Sequence, residues 1–365
     1  MGQSAGIVMA VLIYGAISTY LGWNLKKWFE SIRPFRWPIV FWILFFVIAC
    51  SPFFAQVSWL TPLAVVGNYW MFFFEYGLIF CLIVNIILFI TPLKNVKVMG
   101  SIVVGLLVIL FGIGTYNAYS PVTRHLEITI DKSGEPLRLV MASDFHLGIL
   151  SNKRHLQRFV DLANEAKPDA VLLVGDIVDD DPIWFVEEGM NEVMKQLRAT
   201  YGVYGVLGNH EYYGGKIPLF IEEMKDANVQ ILMDETILVG DRLYLTGQED
   251  ATNKERKPIE ALKPTDEDVP WIVMNHTPTD LELPQQAGVD LHLSGHTHLG
   301  QLWPNNFITD KIFELDYGYM KKENMHTLVS SGFGFWGPPM RIGSRSELWI
   351  VDINFSGVGK QKNDE

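Results

Sequence analysis

Four long apolar runs in the first 119 residues constrain this chain more than any other feature. They cover roughly 5–22, 38–55, 70–91 and 99–119, and the third reads YWMFFFEYGLIFCLIVNIILFI. Each approaches the ~20 residues that a helix needs to cross a bilayer. Trp23, Trp37, Trp59 and Trp70 stand at run ends, where interfacial aromatic belts form. The first run is long and has no small-residue cleavage site, so it reads as a retained helix and not as a signal peptide. The expectation is a membrane domain with four transmembrane helices over 1–119 and a soluble domain over 120–365.

Charge assigns the sides. The segment NLKKWFESIRPFR carries four basic residues, QVSWLTPLAVVGN none, and TPLKNVKV two lysines. Basic loops stay in the cytoplasm. Four crossings then place both the N-terminus and the soluble domain outside, on a multi-pass protein of the cell membrane. Only six basic and two acidic side chains precede residue 120, against 29 and 41 in the whole chain, which leaves the soluble part at −16. Such a domain is a poor partner for nucleic acid, which rewards basic surfaces. The two cysteines, Cys50 and Cys81, both lie in apolar runs. The soluble part therefore has neither a disulfide nor a thiolate ligand to offer.

From residue 120 the periodicity changes. SPVTRH (120–125) reads as a short linker. LEITI, LRLVMA, DAVLLV, GVYGV, VQILM, RLYLTG, WIVM, VDLHLS, HTLVSS and ELWIVDINF read as strands. Helices are expected after Ser151, a good N-cap, over about 183–199 and over about 217–227. The class is α/β, a mixed sheet or two packed sheets flanked by helices. QEDATNKERK (248–257) reads as a solvated loop.

Polar residues collect where the apolar strands stop. LVMASDFH ends in Asp144 and His146, VLLVGD in Asp176, GVLGNHE in Asn209 and His210, WIVMNH in His276, and LHLSGHTH in His296 and His298. Open α/β sheets place their sites at the carboxyl ends of strands, so the five clusters can converge. Residues i and i+2 of a strand face the same way, so each pair can address one pocket. Carboxylate, carboxamide and imidazole suit Mn²⁺, Fe or Zn²⁺ better than Ca²⁺ or Mg²⁺, with Mn²⁺ the first choice. Asp176 is the natural bridge between two ions, and two ions ~3.5–4 Å apart can generate hydroxide and clamp both ends of a displacement at phosphorus. Glycines 175, 208 and 295 give the backbone room to turn at these points. One cluster alone is a cap or a turn; five in order are a site.

DFH (144–146), GD (175–176), GNHE (208–211), NH (275–276) and GHTH (295–298) together resemble the signature of the calcineurin-like metallophosphoesterases, over about residues 126–355. The ending GHTHLGQLWP followed by SSGFGFWGPPMRIGSRSEL is similar to a bacterial membrane-anchored branch acting on phosphodiester or pyrophosphate bonds of lipid-linked molecules. The resemblance implies a four-layer α-β-β-α sandwich and two divalent metal ions per chain. It implies Asp144, His146, Asp176 and His298 as ligands of one ion, and Asp176, Asn209, His276 and His296 as ligands of the other. His210 would be catalytic, stabilising the phosphoryl group or protonating the leaving group, with Glu211 or another acid nearby.

Arg341, after a Gly/Pro-rich stretch, is a candidate substrate-binding residue, with a paired structural arginine as the alternative. Asp179, Asp180 and Asp181 read as a solvated capping run. Trp184, Phe185, Tyr212, Tyr213, Trp303, Phe335 and Trp336 flank the clusters, and those in GQLWPNNF and GFGFWGPP are candidates for an exposed apolar rim. The expected substrate is phosphorylated and lipid-linked. The alternatives are a monoesterase on a soluble substrate, a sensor on an inactive scaffold, and a transporter, for which four nearly uncharged helices make a poor pathway.

Overall fold

In a computed structural model of the chain, residues 2–54 and 61–357 are described; Trp59 lies outside them. The chain divides into two units, one of Met1–Thr115 with Gly337–Met340 and one of Tyr116–Trp336 with Arg341–Glu365.

In the first unit, helices run over Gly2–Ile32, Pro38–Cys50, Thr61–Ile90 and Val96–Tyr119. Among the described residues three of them, not four, are long and apolar enough to cross a membrane. The run at 38–55 makes only 13 residues of α-helix before a 3-10 turn at Ser51–Phe54. Pro52 is the physical reason, because it has no N–H to continue the ladder. At 1.5 Å per residue the α-helical part spans about 20 Å, short of a ~30 Å hydrocarbon core. Asn85 ties the first helix to the third, donating to the Tyr20 hydroxyl (2.6 Å) and to Asn24 Oδ1 (2.9 Å).

The second unit is built on twelve strands: β1 (Val122–Ser133), β2 (Leu137–Ala142), β3 (Ala170–Val174), β4 (Val203–Val206), β5 (Val229–Ile231), β6 (Glu235–Val239), β7 (Leu243–Gly247), β8 (Trp271–Met274), β9 (Leu291–Ser294), β10 (Gly318–Lys322), β11 (Met325–Val329) and β12 (Glu347–Gly357). They form two six-stranded mixed sheets, ordered β1-β12-β2-β3-β4-β5 and β10-β11-β9-β8-β7-β6. β2 to β5 run parallel, as do β7, β8, β9 and β11.

Strand alternation explains the nearly unbroken apolar runs. Leu139 and Met141 face one way, with Ile272, Met274 and Leu293 of the other sheet, and together they fill the space between the sheets. Val140 and Ala142 face the opposite way and pack with Leu156, Phe159 and Val160 of the helix Lys153–Glu165. On the far side of the second sheet, Trp271 and Val273 pack with Ile259, Leu281 and Ala287.

Four local expectations change. The stretch 120–125 is no linker, since β1 begins at Val122. The helix after Ser151 is capped by Asn152, whose side chain accepts from the N–H groups of Arg154 and His155. The helix expected over 183–199 is two short ones, Ile183–Glu187 and Met190–Met194, parted by Gly189 in the left-handed region. The loop at 248–257 is not simply solvated, because Gln248, Glu249 and Asp250 are buried.

Candidate metal centre

The carboxyl ends of β2, β3 and β4 in one sheet, and of β8 and β9 in the other, deliver every expected ligand. Beyond these ends the chain stops being strand. Asp144, His146, Asp176, His296 and His298 all have positive φ, between 44° and 71°. The paired orientation expected from strand periodicity is thus reached by left-handed backbone instead. Non-glycine residues rarely adopt it, and where they do they gather at functional sites. Gly175 turns in the left-handed region (φ 77°), while the other two glycines give room: a Cβ at Gly208 would strike the Asp176 carboxylate, and one at Gly295 the Asp144 carboxylate.

The expected ligands fall into two groups. In the first, His146 Nε2 lies 3.1 Å from His298 Nε2, which lies 3.4 Å from Asp144 Oδ1. In the second, His276 Nε2 lies 3.0 Å from Asp176 Oδ2, and His296 Nδ1 lies 2.8 Å from Asn209 Oδ1. Asp176 Oδ2 is also 3.8 Å from His146 Nε2, so this carboxylate stands between the groups. Asp144, His146 and His298 can hold one ion, and Asp176, His276 and His296 another. The two histidines of GHTH thus fall into different groups.

The donor chemistry fits cations. His276 donates from Nδ1 to the Val174 carbonyl (2.8 Å), which turns its buried Nε2 toward the carboxylates, 3.0 Å from Asp176 Oδ2. Such an anchored second nitrogen is the usual arrangement for a metal-binding histidine. Burial pushes His298 well below its ordinary pKa, helped by His146 and Arg341, and burial also lowers His296. Both are therefore neutral, as ligands must be. Burial resists ionisation of Asp176, but the imidazoles of His276, His146 and His210 outweigh it and hold the carboxyl far below the usual range. For His276, burial is outweighed by Asp176, Asp144 and Asp250, which raise its pKa well above the usual value. These carboxylates make a place for positive charge.

His210 belongs to neither of these groups, but with His146 and Asp179 it forms a third cluster of possible ligands. Its Nδ1 is 2.7 Å from Asp180 Oδ1 and 3.7 Å from Asp179 Oδ1, and its ring centre is 4.6 Å from that of His146. Burial opposes its protonation, yet the hydrogen bond to Asp180 and the charges of Asp176, Asp179 and Asp180 raise its pKa to about 9. The acid beside His210 is therefore Asp180, not Glu211, and the run 179–181 divides. Asp181 caps Ile183 and pairs with Lys216, while Asp179 and Asp180 face the histidines.

Glu211 has a different task. Its buried carboxylate accepts the backbone N–H groups of Asp176, Ile177, Val178 and Gly208, at 2.7–3.1 Å, and so staples two ligand loops together. Arg341 is fully buried. Its guanidinium donates to the carbonyls of Ser331, Gly332 and Gly334, and Nη2 lies 3.3 Å from His298 Nδ1. In this position its donors go to backbone carbonyls and the Ser344 hydroxyl, not to an Asp or Glu. Sequence reasoning passed over Asp180 and Asp250. Asp250 binds the hydroxyl of Thr277, next to His276, and nothing in the spacing of QED marks it.

Comparison with known proteins agrees with this geometry. The sequence model of the calcineurin-like phosphoesterases matches residues 137–300. An uncharacterized metallophosphoesterase of Helicobacter pylori is 32% identical over 237 residues, 62% of this chain and 62% of its own length. One from Aquifex aeolicus is 30% identical over 61% of this chain and 87% of its own. A transmembrane protein with metallophosphoesterase domain from Bos taurus is 30% identical over 65% and 58%. The fold and the two donor groups define a metallophosphoesterase domain. The chain belongs to the calcineurin-like phosphoesterase family. It spans less than two thirds of the length of the Helicobacter and cattle relatives.

Proposed function

We propose that the protein is a membrane-attached hydrolase that cleaves a phosphodiester or pyrophosphate bond with two divalent metal ions, on the four-layer α-β-β-α scaffold of its family. The observation that carries this reading is the pair of adjacent donor groups, with Asp176 of one 3.8 Å from His146 of the other. Asp144, His146, Asp176 and His298 would hold one ion, and Asp176, Asn209, His276 and His296 the other. Such ions supply Lewis acidity and lower the pKa of water near phosphorus. The chain supplies the rest. Asp180 holds the His210 ring, whose other nitrogen is free to donate to a phosphoryl or leaving oxygen. Glu211 and Arg341 keep the ligand loops in place.

The substrate proposed is lipid-linked. Trp303, Phe307, Ile308, Ile312 and Trp336 are each 49–66% exposed. Trp336 lies 6.1 Å from the His210 ring, and Phe313, next to Ile312, lies 5.9 Å from His296. Phe335, by contrast, is buried. Exposed apolar side chains beside a polar site suit a molecule with both characters. Purified full-length protein assayed on a chromogenic diester, a monoester and a lipid diphosphate in vesicles, with and without chelator, tests both statements. The diester or the lipid should turn over only with metal, and Ile308→Ser with Ile312→Ser should lower the ratio of lipid to diester rates. Chelator-resistant turnover, or a preference for the monoester, would overturn the reading.

We also propose that the catalytic unit faces away from the cytoplasm. Both basic stretches, 24–36 and 91–98, then lie on the cytoplasmic side. This requires residues 37–60, whose α-helix is short, to carry the chain from one side to the other. A reporter active only outside, fused after Glu365, should work, and one active only inside should work after Lys97. The opposite pattern would place the unit in the cytoplasm.

A further inference from the structure

A cavity of about 440 Å³ lies away from the metal centre, in the catalytic unit. It opens on the outer face of the second sheet. Along the end of β8, Ile272, Met274 and His276 face inward, and Trp271, Val273 and Asn275 face outward. Asn275, one residue before a proposed ligand, forms the floor of this cavity with His292 of β9. One wall is the loop 248–258, and another is Thr279–Pro284.

Two features of the cavity call for a ligand. The first is an unsatisfied buried acceptor. Asn275 is 3% exposed, and its Nδ2 donates to Gln248 Oε1 (2.7 Å). Gln248 in turn donates to the Lys257 carbonyl, which fixes the direction of both amides. Asn275 Oδ1 is left with no partner, and neither has Thr279 Oγ1, also on the lining. Buried polar atoms are nearly always paired, so these two ask for donor groups from elsewhere. The second feature is charge. Lys254, Arg256 and Lys257 line the cavity against one acid, Asp280. All three cations are steered by backbone carbonyls, of Ala251, Glu249 and Asp234. Among the described residues none of the three forms an ion pair, although Glu249, Asp250 and Glu255 lie in the same stretch. On the lining itself the three cations outnumber the one acid, an arrangement that attracts an anion.

We propose that this cavity binds a small phosphorylated polyol, a sugar phosphate or one of like size. The phosphate lies at Lys254, Arg256 and Lys257. The hydroxyl groups donate to Asn275 Oδ1 and meet Thr279. The volume falls within the ~300–1,000 Å³ of ordinary small-molecule sites. The site is separate from the proposed phosphoesterase centre and does not depend on that activity.

The test is calorimetric titration of the full-length protein in chelator, so that metal-held phosphate contributes nothing. The probes are glucose 6-phosphate, ribose 5-phosphate and glycerol 3-phosphate, with glucose and inorganic phosphate as references. At least one phosphorylated polyol should bind once per chain and more tightly than either reference. Arg256→Glu should weaken it by about 10–100-fold, the worth of a charge-assisted hydrogen bond. Asn275→Leu should weaken it too, and Asp176→Asn should leave it unchanged. The proposal fails if none of the three probes saturates, if inorganic phosphate binds equally well, or if Asp176→Asn removes binding that Arg256→Glu spares.

Discussion

Asp176→Asn is expected to leave a folded protein without metal and without turnover. The change is isosteric, and the new amide carbonyl can still accept the His210 N–H that Asp176 Oδ1 accepts at 2.9 Å. Its NH₂ would then face His276 Nε2, now 3.0 Å from Oδ2. What is lost is the anion that stands between the two donor groups and is drawn to His276, His146 and His210. Removing one partner of a buried charge pair costs about 3–5 kcal/mol, or about 10²–10⁴-fold in affinity for a cation placed there. Elemental analysis should find both ions depleted, and hydrolysis of a diester should fall with them. Circular dichroism should be unchanged, because the Glu211 staple that holds the same loop accepts from backbone N–H groups that the substitution does not touch. A variant with full metal content and ordinary rate would remove Asp176 from the centre of the proposal.

Much of this centre was legible because it is written in residue types that have few other uses at strand ends. The strands announced themselves as unbroken apolar runs, since both faces of β2, β3 and β8 are buried, and the polar residues at their ends stood out against that background. What the sequence concealed is of two kinds. Some partners depend on which way a side chain turns. In Asp179, Asp180 and Asp181, three identical neighbours, one accepts the Ile183 N–H and two face histidines. No spacing rule separates them, because the loop geometry between β3 and Ile183 decides. Glu211 looked like a companion of His210 because they are adjacent, but the turn into the helix Asn209–Gly214 sends the two side chains to opposite tasks. Other features depend on chain breaks. Pro52 shortened an apolar run that hydropathy alone read as a full crossing, and Gly189 split a helix that length alone read as one. Arg341 follows five residues of Gly and Pro-rich chain, and only packing reveals that its guanidinium faces back into that chain.

His210→Ala is expected to separate chemistry from metal binding. The imidazole lies outside the two groups of proposed ligands, although it clusters with His146 and Asp179, and it is held by Asp180 at 2.7 Å. Elemental analysis should therefore find the ions retained, while the rate falls by about 10²–10⁴-fold, the usual contribution of a positioned acid or base. The leaving group tells which role is lost. If His210 protonates the departing oxygen, the loss should be large for an alkyl ester, whose alkoxide needs a proton. It should be small for a nitrophenyl ester, whose phenolate departs without one. If it only stabilises charge on the phosphoryl oxygens, the two esters should lose rate alike. Asp180→Asn should follow the same pattern with a smaller loss, because the ring stays in place and only its orienting charge is gone. Substituting Asp181, which pairs with Lys216 and caps Ile183, should cost no comparable rate. A His210→Ala protein that hydrolyses both esters at the original rate, or that arrives without metal, would take the catalytic role away from this residue.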